Sequence, residues 1–119
     1  MIKSIIINNN NFNEINVKDI QVDNLHKKCG YKNNINFERI TSYYYNNKTI
    51  ELWGKIKGLN NNKNTNEFLI NNSFHLYGKS IIVSYNSQKE FTSITLEEFT
   101  KFLYSNNENN NKMNENNNK

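Results

Sequence analysis

The chain has 119 residues, a formal net charge of +4, 35% hydrophobic residues and one cysteine. That length holds one domain of ordinary size, and one cysteine excludes an internal disulfide framework and agrees with a reducing compartment. No apolar run approaches the ~20 residues that cross a bilayer as a helix, and Met1–Ile7 breaks into asparagine too soon for a secretory signal, so the expectation is a soluble intracellular protein.

In chain order, Ile2–Ile7 is apolar and β-branched and predicts a first strand, placed at a sheet edge because an Asn run follows it. A short helix is expected within Val17–Cys29, where Val22, Leu25 and Cys29 fall at i, i+3 and i+7 and so share one face. Gly30 supplies its stop at the C′ position, Lys27 and Lys28 favour its last turn, and Asp19 or Asp23 caps its start.

The stretch from Phe37 to Gly58 predicts a hairpin turning at Asn46-Asn47, two residues that tolerate positive φ. With a two-residue loop, Tyr43 faces Ile50, Thr41 faces Leu52 and Phe37 faces Ile56, which makes one apolar face. On the other face Ile40 meets Trp53, Ser42 meets Glu51 and Glu38 meets Lys55. Leu59–Asn66 reads as an Asn-rich surface loop. A second hairpin is expected across Gly78-Lys79, pairing Leu76 with Ile81, Phe74 with Val83 and His75 with Ile82.

The last element is a helix from Thr95 to Tyr104. Thr95-Leu96-Glu97-Glu98 has the form of a capping box, with Ile94 and Phe99 at the flanking staple positions. Leu96, Phe99, Phe102 and Leu103 give it an apolar stripe that must lie on a sheet face. The predicted fold is therefore α+β: a small antiparallel sheet of two hairpins with a C-terminal helix packed on one face and a short N-terminal helix. Residues 1–104 form the single domain, and 105–119 are an Asn-rich disordered tail, since they carry no periodic apolar residues.

Chemistry is sparse. His26-x-x-Cys29 has metal-ligand spacing and His75 offers a third donor, but no second Cys pair accompanies them; Cys29 on the apolar face of a helix is more simply a small core residue. Ser73-x-His75 places two side chains on one face of a strand with no orienting carboxylate evident. The four glycines are scattered and form no phosphate loop. No catalytic, metal or cofactor residue is assigned, and the reading is a non-enzymatic protein. The candidate interaction face is Tyr44, Trp53, Lys55 and Lys57, the mixture of rings and cations used by single-strand binders. A single arginine, Arg39, argues against a dedicated nucleic-acid reader, because base and phosphate forks favour arginine over lysine.

Composition points to a genome. The chain lacks proline and alanine and is rich in Asn, Ile, Lys, Tyr and Phe, residues with AT-rich codons. Along Leu25-His26-Lys27-Lys28-Cys29-Gly30-Tyr31 and Asn36-Phe37-Glu38-Arg39-Ile40-Thr41 it resembles a small uncharacterised protein family of nucleocytoplasmic large DNA viruses, mimivirus-like and algal viruses among them. That family has a KKCGF-like helix end followed by an FE(K/R)xT strand. The resemblance continues through Leu52-Trp53-Gly54-Lys55, Asn66-Glu67-Phe68, Leu76-Tyr77-Gly78 and Leu96-Glu97-Glu98-Phe99, spanning about residues 23–104. A Pro-rich stretch after Glu67 and an acidic tail, which belong to the family pattern, are missing here. The resemblance implies a viral protein of host cytoplasm, viral factory or virion. The expected function is a protein-interaction module or accessory subunit in viral transcription, translation or factory machinery, with a viral or host protein as partner, no membrane, and weak single-stranded nucleic-acid binding as the alternative.

Overall fold

The computed structural model describes residues 1–8, 11–55, 63–66 and 74–104. Among these, the strands are β1 (Ile2–Asn8), β2 (Asn11–Val17), β3 (Phe37–Tyr45), β4 (Lys48–Lys55), β5 (Lys63–Asn66), β6 (Phe74–Tyr77), β7 (Ser80–Tyr85) and β8 (Phe91–Thr92). A 3-10 turn at Val22–Asn24 leads into the one-turn helix α1 (Leu25–Lys28), and residues 96–104 form helix α2. The main sheet runs β2-β1-β7-β4-β3, with β8 beside β7, while β5 and β6 pair separately. Its pairings are antiparallel. The fold is α+β, an antiparallel sheet with a C-terminal helix and a short N-terminal helical element. The expected tail at 105–119 lies outside the described residues, as do residues 59–62 of the expected loop; residues 63–66 of that loop form β5.

The first strand is interior rather than an edge. Ile5 lies opposite Glu14 of β2 and Ile82 of β7, and Ile6 lies between Asn13 and Ile81. Ile5, Ile6 and Ile7 are all buried, which is why the strand is apolar at every position rather than at alternate ones. Its outer neighbour β2 has no counterpart in the sequence reading. Its alternation, in which Ile15 and Val17 point one way and Phe12 the other, is masked by interspersed Asn and Glu.

The first hairpin forms as expected from its turn up to Thr41. Asn46 and Asn47 both take positive φ (54° and 63°), Tyr43 opposes Ile50, Ser42 opposes Glu51 and Thr41 opposes Leu52. There the register shifts. A β-bulge at Ile40 places Arg39 opposite Trp53, Glu38 opposite Gly54 and Phe37 opposite Lys55, so the expected pairs Ile40–Trp53, Glu38–Lys55 and Phe37–Ile56 do not form. Because side chains alternate along a strand, one extra residue moves everything before it to the opposite face. Ile40 joins the cluster under α2, and Phe37 joins the cluster around Trp53.

The second expected hairpin is also rearranged. β6 pairs with β5, Leu76 opposite Asn64, whereas β7 pairs with β1 and β4. Gly78 (φ 74°) therefore turns a corner between two sheets. A Cβ there would run into the Tyr31 hydroxyl, which sits between the carbonyls of Tyr77 (3.1 Å) and Lys79 (2.9 Å) and shares its single O–H between them.

The two faces of the main sheet are covered by different elements. On one, α2 sets Phe99 and Phe102 onto Ile5, Ile7, Ile50, Leu52 and Ile82. Phe12 meets Phe99 edge-on at 5.5 Å, and Tyr43 and Tyr45 meet Phe102 at 5.3 and 5.4 Å. The Thr95 hydroxyl accepts the Glu98 N–H at 3.0 Å as a cap, and Ile94 and Phe99, the staple pair, are fully buried. The Glu98 side chain does not close the box. Its carboxylate takes the Lys48 ammonium at 2.9 and 3.0 Å and so fastens the helix start to the first hairpin, while Glu14 of β2 accepts the Leu96 N–H at 2.8 Å. Both carboxylates favour the positive end of the helix.

On the other face, the segment from Val17 to Tyr31 sets Val17, Ile20, Leu25 and Cys29 onto Ile6, Ile81 and Val83. Its helix is shorter than expected, and Val22 is exposed rather than on the apolar face. Neither aspartate caps it: Asn24 Oδ1 accepts the Gln21 N–H at 3.0 Å, and Asp19 takes a positive φ (51°) with its carbonyl accepting Asn24 Nδ2. The stop is as expected. Gly30 (φ 90°) is at C′, with Gly30 N–H donating to the Lys27 carbonyl and Tyr31 N–H to the His26 carbonyl, both at 3.0 Å, the paired bonds of a Schellman ending.

Candidate functional site

Among the described residues the coverage of this second face is incomplete, and the boundary runs through the predicted interaction face. Trp53 and Lys55 stand at its covered end. The Trp53 ring stacks on Phe37 at 6.2 Å with 23° between planes. Phe37 in turn meets His26 and Tyr31 at 6.2 and 6.0 Å. The Lys55 ammonium sits 4.1 Å above the Tyr31 ring, a cation–π contact. Lys57 lies outside the described residues. Tyr44, at the opposite end, is 71% exposed, and its hydroxyl makes a 3.4 Å contact with Asn47 Oδ1. Of the three described residues, Trp53 and Lys55 brace the covered end and Tyr44 stands on open sheet. The C-terminal helix covers neither, because it occupies the far side.

At the open end a buried carboxylate that the sequence reading treated only as a cross-strand partner organises the surface. Glu51 is 8% exposed. Its Oε1 accepts the Trp53 indole N–H at 3.0 Å and its Oε2 lies 3.3 Å from Arg39 Nη1. Burial, followed by the charge of the nearby Glu51, pushes the Tyr85 phenol well above its ordinary value of 10.0. A buried charge is tolerable only when hydrogen-bond donors meet it, and here the Trp53 indole and the Arg39 guanidinium do so. The bulge at Ile40 is what brings Arg39 onto this face. The signal was present in sequence as an acidic residue inside the apolar run Ile50–Trp53, two strand positions from the tryptophan and across the turn from the chain's one arginine.

Arg39, Thr49, Glu51, Tyr85, Asn86 and Lys89 enclose a cavity of about 300 Å³ on this open half. Beside it runs the outer edge of β3, the last strand of the sheet. In a two-residue hairpin the closing pair, Tyr45 and Lys48, exchanges both backbone bonds. Alternation then directs the N–H and C=O groups of Tyr44 and Ser42 away from β4. Among the described residues no backbone group pairs with them.

Cys29 is buried and free. Burial pushes its thiol from 9.0 up to about 12, which makes it a poor nucleophile or metal ligand near neutrality. Among the described residues no group of three His, Cys, Asp or Glu side chains could hold a metal ion, and no helix is long and apolar enough to cross a membrane. No protein-family model, curated protein or solved structure matches the chain.

Proposed function

We propose that the protein is a non-enzymatic interaction module that takes up an extended segment of a partner protein along β3. The observation that carries this is the outer edge of that nine-residue strand, unpaired among the described residues and flanked by the exposed Tyr44 ring. An edge strand of this length is a template for strand addition, in which main-chain hydrogen bonds supply affinity and side-chain positions supply selectivity. With the family resemblance and the AT-rich composition, the setting we propose is a giant DNA virus in host cytoplasm or its viral factory. There the protein acts as an accessory subunit in viral transcription, translation or factory machinery.

The test is affinity capture of the tagged protein from infected cells, compared with Ser42→Pro. That substitution removes an outward-facing donor without breaking a bond to β4. The expected result is a stable partner lost from the variant while its thermal midpoint stays within a few degrees; equal capture by both proteins would overturn strand addition. The alternative, single-stranded nucleic-acid binding, draws support from the exposed Tyr44 ring, a stacking platform. It predicts salt-sensitive oligonucleotide binding that Tyr44→Ala removes without unfolding the protein.

A further inference from the structure

The cavity beside β3 bears on the chemistry of the partner, and the inference that follows rests on the strand-addition reading. Three hydrogen-bond donors converge on it and have unclaimed capacity. The Arg39 guanidinium uses one N–H on Glu51 and its side chain is 58% exposed. Of its five N–H donors, the remainder are free to bind elsewhere. The Lys89 ammonium and the Thr49 hydroxyl have no acceptor among the described residues.

The two cations stand on anchored supports. Glu51 anchors Arg39 from the floor of the cavity. Lys89 sits at φ 64° in a turn closed by the Asn86 N–H bond to the Glu90 carbonyl at 2.8 Å. The Asn86 side-chain oxygen accepts the N–H groups of Gln88 and Glu90 at 2.9 and 3.0 Å, so the turn is braced from within. The two nearby carboxylates do not compete for the cations' free capacity. Glu51 is engaged by Arg39 and the Trp53 indole, and Glu90 is turned to Asn86 Nδ2 at 3.3 Å. The cavity therefore presents two cations and a hydroxyl around an unfilled volume large enough for a carboxylate group. Two cations with free donor capacity beside one another favour an anion through charge-assisted hydrogen bonds.

We infer that this cavity receives the carboxylate of an Asp or Glu side chain carried by the segment that adds to β3. Arg39 and Lys89 are then the residues that select acidic partners over neutral ones.

Two measurements separate this inference from the reading beneath it. In the first, NMR follows the Arg39 Nε–H, Trp53 Nε1–H and Lys89 signals while sodium acetate is added at constant ionic strength against sodium chloride. A saturable acetate shift confined to these groups, lost in Lys89→Gln, is expected; identical acetate and chloride titrations would overturn the inference whatever β3 does. In the second, the capped peptide Val-Glu-Val-Glu-Val and its Val-Gln-Val-Gln-Val counterpart are bound to the full chain. The acidic peptide should bind roughly tenfold tighter or better, as one charge-assisted contact implies, and Lys89→Gln should remove most of that preference. Equal binding of both peptides would leave strand addition standing and sink the carboxylate site. Acetate binding without peptide binding would do the reverse. Lys89 is exposed, so its variant folds even where Arg39→Gln, which strips Glu51 of a partner, does not.

Discussion

The two faces of the main sheet are built from alternate residues of the same strands, yet one is sealed and the other is half open. Under α2, the core from Ile5 to Phe102 is closed by aromatic rings, and the polar contacts at its margin, Lys48 with Glu98 and Glu14 with the Leu96 N–H, fasten the lid. On the Trp53 side, among the described residues, the short segment from Val17 to Tyr31 covers one end only. The remainder carries a carboxylate network instead of apolar contact. The difference sets what each face contributes: the sealed one supplies most of the apolar burial, and the other presents polar groups.

Removing the ring that seals the first face should do most damage. Phe99→Ala is expected to cost about 3–5 kcal/mol in urea denaturation, because the ring is fully buried. A loss below 1 kcal/mol would show that the helix is not the principal cover. On the opposite face, Glu51→Ala leaves the Trp53 and Arg39 donors unmatched and should cost about 1–3 kcal/mol, with a change in Trp53 fluorescence that Phe99→Ala does not produce through the indole N–H. A stability unchanged by this substitution would mean that solvent serves those donors equally well.

Alkali should act on the half-open face in a graded way. Burial raises Cys29 from 9.0 to about 12, and burial with the nearby Cys29 charge raises Tyr31 from 10.0 to about 12. Both groups are held protonated by the fold, so their contribution is complete below pH 9 and is lost as pH climbs through 12. The urea midpoint should begin to fall just above pH 9, and Cys29→Ala should delay that fall by about one unit, to where tyrosine begins to ionise. A midpoint that declines equally in both proteins would assign the effect elsewhere.

Smaller effects sharpen the contrast. Thr95→Ala removes a cap and should cost about 0.5–2 kcal/mol. Tyr44→Ala, on the open surface, should stay within about 0.5 kcal/mol in a denaturation series. A larger loss at Tyr44 than at Thr95 would mean that the open face carries stability after all.

These features were unequally legible in the sequence. Asn46-Asn47, Gly30 and the Ile94-Thr95-Phe99 signature declare themselves because turn and cap chemistry is local: positive φ and an orphan N–H are satisfied within a few residues. The bulge at Ile40 is not local. It follows from Phe37 fitting between Trp53, His26 and Tyr31, contacts made only once the sheet exists. For the same reason the pairing of β7 with β1 and β4 could not be read from Gly78-Lys79, where a tight turn is equally compatible with a hairpin and with a corner. The Glu51 network was hidden because the register placing Arg39 beside it depends on that bulge. Tyr44 is open, whereas Trp53 and Lys55 are engaged with Phe37 and Tyr31.

The position of β1 has a kinetic consequence. The β3–β4 hairpin closes between neighbours in the chain, but the inner edge of β1 stays unmatched until Ile7 finds Ser80 and Ile5 finds Ile82. Contacts so distant along the chain slow folding, since loop entropy is lost before the pairing compensates it. During synthesis the apolar run Ile5–Ile7 is made before β7 and waits, paired at most with β2, until β7 follows. This interval is when the nascent chain is most exposed to association with other chains.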